Sequence, residues 1–468
     1  MNKKLIVLLL LLSALSLLIV LMAVLYNPLH SNLNFSHLEA TAEKTLDVQG
    51  RAIGNKAIRE STRKALESEI SEFKVQWKSS EGTHDERRGK GGIIIPTTSS
   101  KNLPYNEWIE KPYNACNGHF LGFRNEFAVL RSAMFINRDQ FSIPCNNSSM
   151  PAYSFNMKNE APHPMWIRNL QNAELKQSGV NVWRTPAFVF KRIEAHNLYH
   201  TACEWINIYI LSRLFGFDPR NVDVLLTDDR PSNVLDESWD TLFNNVIRYK
   251  IFEGNVVFDT LIWTTIGYHS PAGIDPKYLQ REFKYVDEFR IFFLDAFNVQ
   301  LKNLAPNCDS LSITIICRRD YMTHPERIQM NGKIHRKFQN EEEIFATVQK
   351  QFPNANLTGV ILEQMSMKAQ LENMSNTDIL IGMHGAGLTH VLFLPPHAVV
   401  LELFPEYYGT MATLNYFETF SHWRNLTYFG WQNFDKSNEF PNYYTKIPGD
   451  VIVSYCEKIK EIICKINK

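Results

Sequence analysis

Net charge is missing from this chain. The 49 Lys and Arg residues are offset by 49 Asp and Glu, which removes any electrostatic argument for a nucleic-acid partner. Cysteine is scarce: there are seven in 468 residues, and no Cys/His cluster has the spacing of a zinc site. Gly-x-Ser-x-Gly does not occur, which excludes the usual nucleophile elbow of an α/β-hydrolase. Asp-x-Asp does not occur either, so a metal site built on that pair of carboxylates is excluded. No internal repeat is evident, which excludes a solenoid or a propeller.

Charge is also absent from residues 5–26, where nearly every side chain is Leu, Ile, Val, Ala or Met. A helix of that length spans about 30 Å of hydrocarbon. The apolar region of a cleaved signal is shorter and ends in a small-x-small exit. Lys3 and Lys4 precede the run, so the positive-inside rule leaves residues 1–4 cytosolic and the rest lumenal. The pattern predicts a single-pass type II membrane protein. Residues 27–104 are polar and rich in Gly and Arg near their end, a stem composition. Within them Leu66, Ile70, Phe73 and Trp77 repeat at helical spacing, a short amphipathic stretch that could pair two copies into a homodimer.

A lumenal chain also fits the six Asn-x-Ser/Thr acceptors at Asn34, Asn146, Asn147, Asn356, Asn373 and Asn425. Asn146 and Asn147 are adjacent and would not both carry a glycan, and Asn373 falls on a predicted helix. This leaves Asn34, Asn146, Asn356 and Asn425. An odd cysteine count leaves at least one thiol unpaired. Cys116 with Cys145 is the simplest bridge, and Cys317, inside an apolar strand, is expected to be free. On a helical tail Cys456 and Cys464 would lie roughly 12 Å apart, too far to join.

Past residue 105, apolar runs alternate with helical patterns. Strands are predicted at 188–190, 222–226 and around Val246 and Val256, with helices at 199–215 and 239–244. A second alternation begins at Ser310: strand 313–317, helix 341–351, strand 360–362, helix 366–376. Such alternation predicts an α/β fold of parallel sheets with helical cover. Its two runs imply a domain of residues 105–304 and another of residues 305–468.

The most informative segment follows: Asp378-Ile-Leu-Ile-Gly-Met-His-Gly-Ala-Gly-Leu-Thr-His390. A buried strand runs into glycines at 382, 385 and 387, a helix restarts near Leu388, and residues 399–404 form the next strand. A helix start at the carboxyl edge of a sheet presents free N–H groups and a partial positive charge, a phosphate site. As a dinucleotide fingerprint the segment fails, since its third glycine is missing. As a lipase oxyanion loop it fails for want of the serine elbow.

Residues 381–390 read Ile-Gly-x-His-Gly-Ala-Gly-Leu-Thr-His, and with them the chain resembles family 61 glycosyltransferases. It is most similar to the branch that adds β1,2-xylose to the core mannose of N-glycans. Gly118-His-Phe-Leu-Gly-Phe-Arg-Asn-Glu-Phe, Asn197-Leu-Tyr-His-Thr201, Ile313-Thr-Ile-Ile-Cys-Arg-Arg-Asp-Tyr321, Asn340-Glu-Glu-Glu-Ile-Phe345 and Met365-Ser-Met-Lys-Ala-Gln370 carry the same resemblance. It implies two facing doubly wound Rossmann-like domains, the GT-B arrangement, and an inverting transfer from UDP-xylose in the Golgi lumen. The relative that transfers N-acetylglucosamine to epidermal-growth-factor-like domains shares the glycine motif, and an inactive carbohydrate-binding protein is a rival of another class.

Without Asp-x-Asp, no metal or other cofactor is expected. The leaving diphosphate must then be met by helix N–H groups and cationic side chains. Arg318 and Arg319 close a predicted strand at its carboxyl end, and a guanidinium fork suits phosphate. The resemblance places Arg318, Ser366, His384, Gly385, Ala386, Gly387 and Leu388 at the donor, with Arg319 beside them. Glu402, a carboxylate in an apolar strand, must be paired or bonded: it would accept from ribose hydroxyls or meet an arginine. His390 reads as a packing residue. For the base, Glu204 assisted by His200 one turn away is the choice, with Glu126 as a third candidate. Related sequences carry Asp at the position of Glu204.

Overall fold

The computed structural model describes residues 104–123, 127–138, 140–145, 170–172, 180–192, 194–252, 256–264, 271–273, 282–300, 305–320, 332–409, 411 and 413–465. The apolar run at 5–26, the stem, Glu126, Asn34, Asn146 and Asn147 lie outside these residues. Among the described residues no helix is long and apolar enough to cross a membrane.

The first sheet opens with an antiparallel meander of β1 (Tyr113–Ala115), β2 (Phe120–Phe123) and β3 (Phe127–Asn137). β4 (Gln140–Ile143) pairs with β3 and with β5 (Leu170–Asn172). β6 (Asn181–Trp183) flanks the later strands. β7 (Ala187–Phe190), β8 (Asp223–Leu226) and β9 (Asn245–Arg248) run parallel, and β10 (Val256–Thr264) sits between β3 and β7. This sheet is mixed, not parallel throughout as the alternating pattern predicts. β2 and β3 are joined by three residues, too few for a crossover, so they must pair antiparallel. β7 and β8 are joined through the helix Leu198–Leu214, long enough to bring the chain back in the same direction.

The second sheet is wholly parallel. It contains β11 (Ser312–Ile316), β13 (Asn356–Val360), β14 (Ile379–Met383), β15 (Val399–Phe404) and β16 (Thr427–Gln432), in the order 13-11-14-15-16. Between β11 and β13 comes β12 (Lys337–Phe338), which joins β17 (Glu439–Phe440) and β18 (Tyr444–Thr445) in a small separate sheet. β13 lies earlier than the predicted strand at 360–362 because Leu362–Gln364 turns as a short 3-10 helix. The helix Glu341–Gln351 and strand β15 have the predicted bounds.

Period-two alternation divides the apolar side chains of the second sheet between two cores. Ile313, Ile315, Ile379, Ile381, Val399 and Leu401 face the helices Glu341–Gln351 and Gly449–Ile463. Ile316, Leu380 and Val400 face the other way, into a cluster that continues through the helix Leu198–Leu214 to the first sheet. That helix is buried at every position but Arg213, since it is covered by its own sheet and by the 3-10 helix Ala386–Phe393. Phe293 meets Phe393 at 4.7 Å between ring centroids, and Tyr199 stacks on Phe420 at 5.8 Å. The two sheets therefore share one apolar core on their facing sides, and all described residues belong to one compact unit.

Two disulfides occur among the described residues: Cys116–Cys145 and Cys308–Cys464. The second ties the approach to β11 to the end of the last helix. Cys317 and Cys456 are free and buried, the buried Cys203 donates its thiol to the Ala272 carbonyl at 3.2 Å, and burial pushes the Cys317 thiol up to about 12. Asn356 and Asn425 are exposed, whereas Asn373 is half-buried on the helix Met367–Met374.

Candidate active site

In the order 13-11-14-15-16 the winding reverses between β11 and β14, and loops leaving their carboxyl ends diverge there. Open α/β sheets bind ligands at such a switch point. β11 is followed directly by Cys317, Arg318 and Arg319, and β14 by His384 and Gly385. Neighbouring strands thus deliver the arginine pair and the glycine turn, 66 positions apart in sequence, to one crevice.

The contact is close. A Cβ on Gly385 would overlap Nη1 of Arg318, so the glycine leaves the space the guanidinium occupies. Arg318 Nε donates to the His335 carbonyl at 3.0 Å, which turns the remaining fork toward the glycine loop. The 3-10 helix begins at Ala386, and a helix start leaves its first N–H groups without intrahelical acceptors. The Leu388 N–H is already donated to the Gly385 carbonyl at 2.9 Å and its side chain is in the core, a packing role in place of the expected donor contact. Gly387 also differs from expectation: a Cβ there would lie 2.9 Å from Leu362 Cδ1 and 3.5 Å from Ile316 Cγ2. Its lack of a side chain lets the helix pack onto the sheet.

Arg319 turns away. It makes a two-pronged ion pair with Glu341 at the start of the helix Glu341–Gln351, which commits its fork to a carboxylate. Ser366 caps the helix Met367–Met374, accepting from the Ala369 N–H at 3.3 Å.

His384 is 5% exposed, with Nδ1 2.5 Å from Oε1 of Glu402 and its ring stacked on Phe404 at 4.7 Å. Glu402 is fully buried, and its other oxygen accepts from the Tyr428 hydroxyl at 2.7 Å. Both of its oxygens are thus engaged within the protein, by a histidine and a tyrosine rather than by an arginine. Burial pushes the His384 pKa down, Glu402 opposes that, and Arg336 and Arg318 add to the lowering. Burial and then Glu402 push the Tyr428 hydroxyl well up, so it stays protonated and donates. With Nδ1–H also donating to Glu402, the neutral His384 ring keeps its lone pair on Nε2.

His200 and Glu204 share one face of the helix Leu198–Leu214 but are 7% and 4% exposed. Glu204 lies deeper, within electrostatic reach of Arg192, which is locked to Asp228 and Asp236. His200 is nearer the helix start, 3.6 Å from Glu194, and burial lowers its pKa against that carboxylate's pull. Tyr199 beside it lies 5.2 Å from Tyr416, and Tyr416 lies 6.3 Å from His384. This aromatic chain connects the helix start to the crevice.

His390 has no hydrogen-bond partner at either ring nitrogen among the described residues and packs edge-on to Phe393. Burial lowers its pKa to about 4. Because the folded value lies below the ordinary 6.5, the fold favours the neutral ring. That stability is complete above pH 6.5 and is lost as pH falls toward 4, by roughly 3 kcal/mol in all. His390→Phe should flatten the change in urea midpoint between pH 7 and 4.5. The same slope in both proteins would clear His390 of the effect.

Arg336 was not foreseen. Its guanidinium carbon lies 4.0 Å from the centre of the Tyr408 ring, and together with Arg318 it acts on His384. The sole local signal was the basic triplet His335-Arg336-Lys337, which by itself reads as a solvated turn. Among the described residues no group of three His, Cys, Asp or Glu side chains is placed to hold a metal ion.

Residues 186–401 match the family model Glycosyltransferase 61. The chain carries a family 61 glycosyltransferase domain. A beta-1,2-xylosyltransferase of Oryza sativa subsp. japonica is 27% identical over 265 residues, covering 52% of this chain and 48% of its own length. The Arabidopsis thaliana beta-1,2-xylosyltransferase is 27% identical over 282 residues, covering 52% and 51%. An EGF domain-specific O-linked N-acetylglucosamine transferase of Drosophila melanogaster is 28% identical over 276 residues, covering 54% and 46%. The chain spans about half the length of the curated relatives it matches. The matched residues include His200, Arg318, Arg336 and the glycine loop, while Glu402 directly follows them and Tyr428 lies further on, in β16.

Proposed function

We propose that the chain is an inverting, metal-independent glycosyltransferase moving xylose from UDP-xylose, in β1,2 linkage, onto the core mannose of N-glycans. The observation that carries the reading is the Arg318 guanidinium seated against Gly385 at the switch point of a parallel sheet. A fixed cation beside a helix start stabilises the diphosphate as it departs, without reorganising solvent. In the transfer, the acceptor hydroxyl oxygen bonds to the anomeric carbon while the bond from that carbon to UDP breaks. The hydroxyl proton goes to His200. We assign the base to His200 over Glu204 because Glu204 lies deeper and beside Arg192. The choice of xylose rests on the similarity to the two xylosyltransferases. The Golgi lumen, with residues 5–26 as anchor and a glycosylated catalytic part, completes the proposal.

A second reading is favoured by the Drosophila relative, whose identity is equally high: transfer of N-acetylglucosamine to folded extracellular protein domains. One assay separates the two. Purified protein should transfer pentose from UDP-xylose to an N-glycan, read by mass, and keep its activity in EDTA. Transfer only from UDP-N-acetylglucosamine would favour the second reading. Loss in EDTA with recovery in manganese would overturn metal independence, and absence of transfer and hydrolysis with every UDP-sugar would sink both readings.

A further inference from the structure

We propose that Arg336 is a second diphosphate clamp, positioned by Tyr407 and Tyr408 opposite Arg318. The proposal rests on the reading of this crevice as a nucleoside-diphosphate site. Arg336 is held from three sides: its guanidinium lies on the Tyr408 ring, its N–H donates to the Tyr407 hydroxyl at 3.0 Å, and its φ is 62°. That left-handed conformation is costly for an arginine and persists only where the surroundings impose it.

Its polar atoms are not used up by these contacts. Arg336 Nε is buried with no hydrogen-bond partner, and the side chain makes no ion pair among the described residues. The neighbouring cations differ in this respect: Arg319 is paired with Glu341, and Lys337 with Asp320 at 2.6 Å. A buried guanidinium N–H left unsatisfied is expensive unless a ligand completes it.

The two arginines are also close neighbours. Arg318 Nε is bonded to the carbonyl of His335, the residue before Arg336. Both guanidinium groups bear on the same two rings, His384 and Tyr407. Like charges gathered around one imidazole repel each other, and an anion relieves that repulsion. Two guanidinium forks suit a ligand with two adjacent phosphates, so the ligand is the diphosphate of the nucleotide sugar. Tyr408, 37% exposed, supplies a π face that orients Arg336 without neutralising it.

Calorimetric titration of the full chain with UDP, UMP and uridine tests this. Arg336→Ala should weaken UDP binding by about 10–100-fold, with uridine unchanged and UMP affected less. Arg336→Lys should recover part of the loss, and Tyr408→Leu should give an intermediate loss that Tyr408→Phe does not. Wild-type affinity of Arg336→Ala for UDP would overturn the assignment while leaving the proposed function standing. An equal loss for UDP and uridine, with a lowered melting temperature, would make Arg336 a fold residue and overturn it too. Failure of wild-type protein to bind UDP would instead strike the proposed function.

Discussion

Arg318→Ala is expected to lower the transfer rate by roughly 10²–10³-fold with little change in melting temperature, the range seen when a fixed donor to a developing charge is removed. Arg318 is half-buried and lies at a strand end, so its loss opens no cavity in either core. Gly385→Ala should reproduce much of the loss while keeping the arginine, because the new methyl takes the place of Nη1. The comparison of the two variants is informative. If Arg318→Ala is nearly inactive and Gly385→Ala is normal, the guanidinium works from another position. Activity close to wild type in both would remove Arg318 from the donor site. Gly387→Val is a poorer probe, since its side chain would strike Leu362 and Ile316 and disturb the packing of helix on sheet.

The other large effect is expected from the Cys308–Cys464 bridge. It closes a loop of 156 residues, and chain-entropy arguments assign such a loop up to about 5 kcal/mol, of which 2–5 is usually realised. Cys308→Ser should therefore move the urea midpoint sharply downward, and dithiothreitol should lower wild type by more than it lowers the variant, in which only the shorter Cys116–Cys145 loop is left to open. Unchanged midpoints in all three cases would show that the bond does not form. Cys317 and Cys456 provide no substitute partner, since both are buried in strand and helix packing.

Where local sequence decides local structure, the reading from sequence was close. Glu341–Gln351 has its acidic first turn and apolar period, and Val399–Phe404 is an unbroken apolar run; both have the bounds expected of them. The glycine motif was legible because a strand, a sharp turn and a helix start each leave their own residues behind. Antiparallel pairing of β3 with β10 was not, because partners more than 100 positions apart leave no local trace. Arg318 could be placed at the end of a strand, but its seat against Gly385 depends on β11 and β14 being neighbours. Arg319 and Arg318 are indistinguishable as letters; what separates them is that Glu341 lies within reach of one fork. Glu402 had to find a partner, yet only the parallel register of β14 and β15 makes that partner His384.

By itself the sequence determined the α/β class, the strand, glycine turn and helix start of residues 379–388, the absence of an Asp-x-Asp metal pair and the resemblance to family 61. Each of these lies in residue type and short spacing, where backbone geometry and side-chain chemistry act within a few positions. Only the tertiary structure decided which cations share the crevice, that Glu402 serves His384, that Leu388 and Gly387 serve packing, and that Arg336 belongs beside Arg318. These follow from strand order and from burial on both faces of a sheet, which long-range packing sets and no local pattern records.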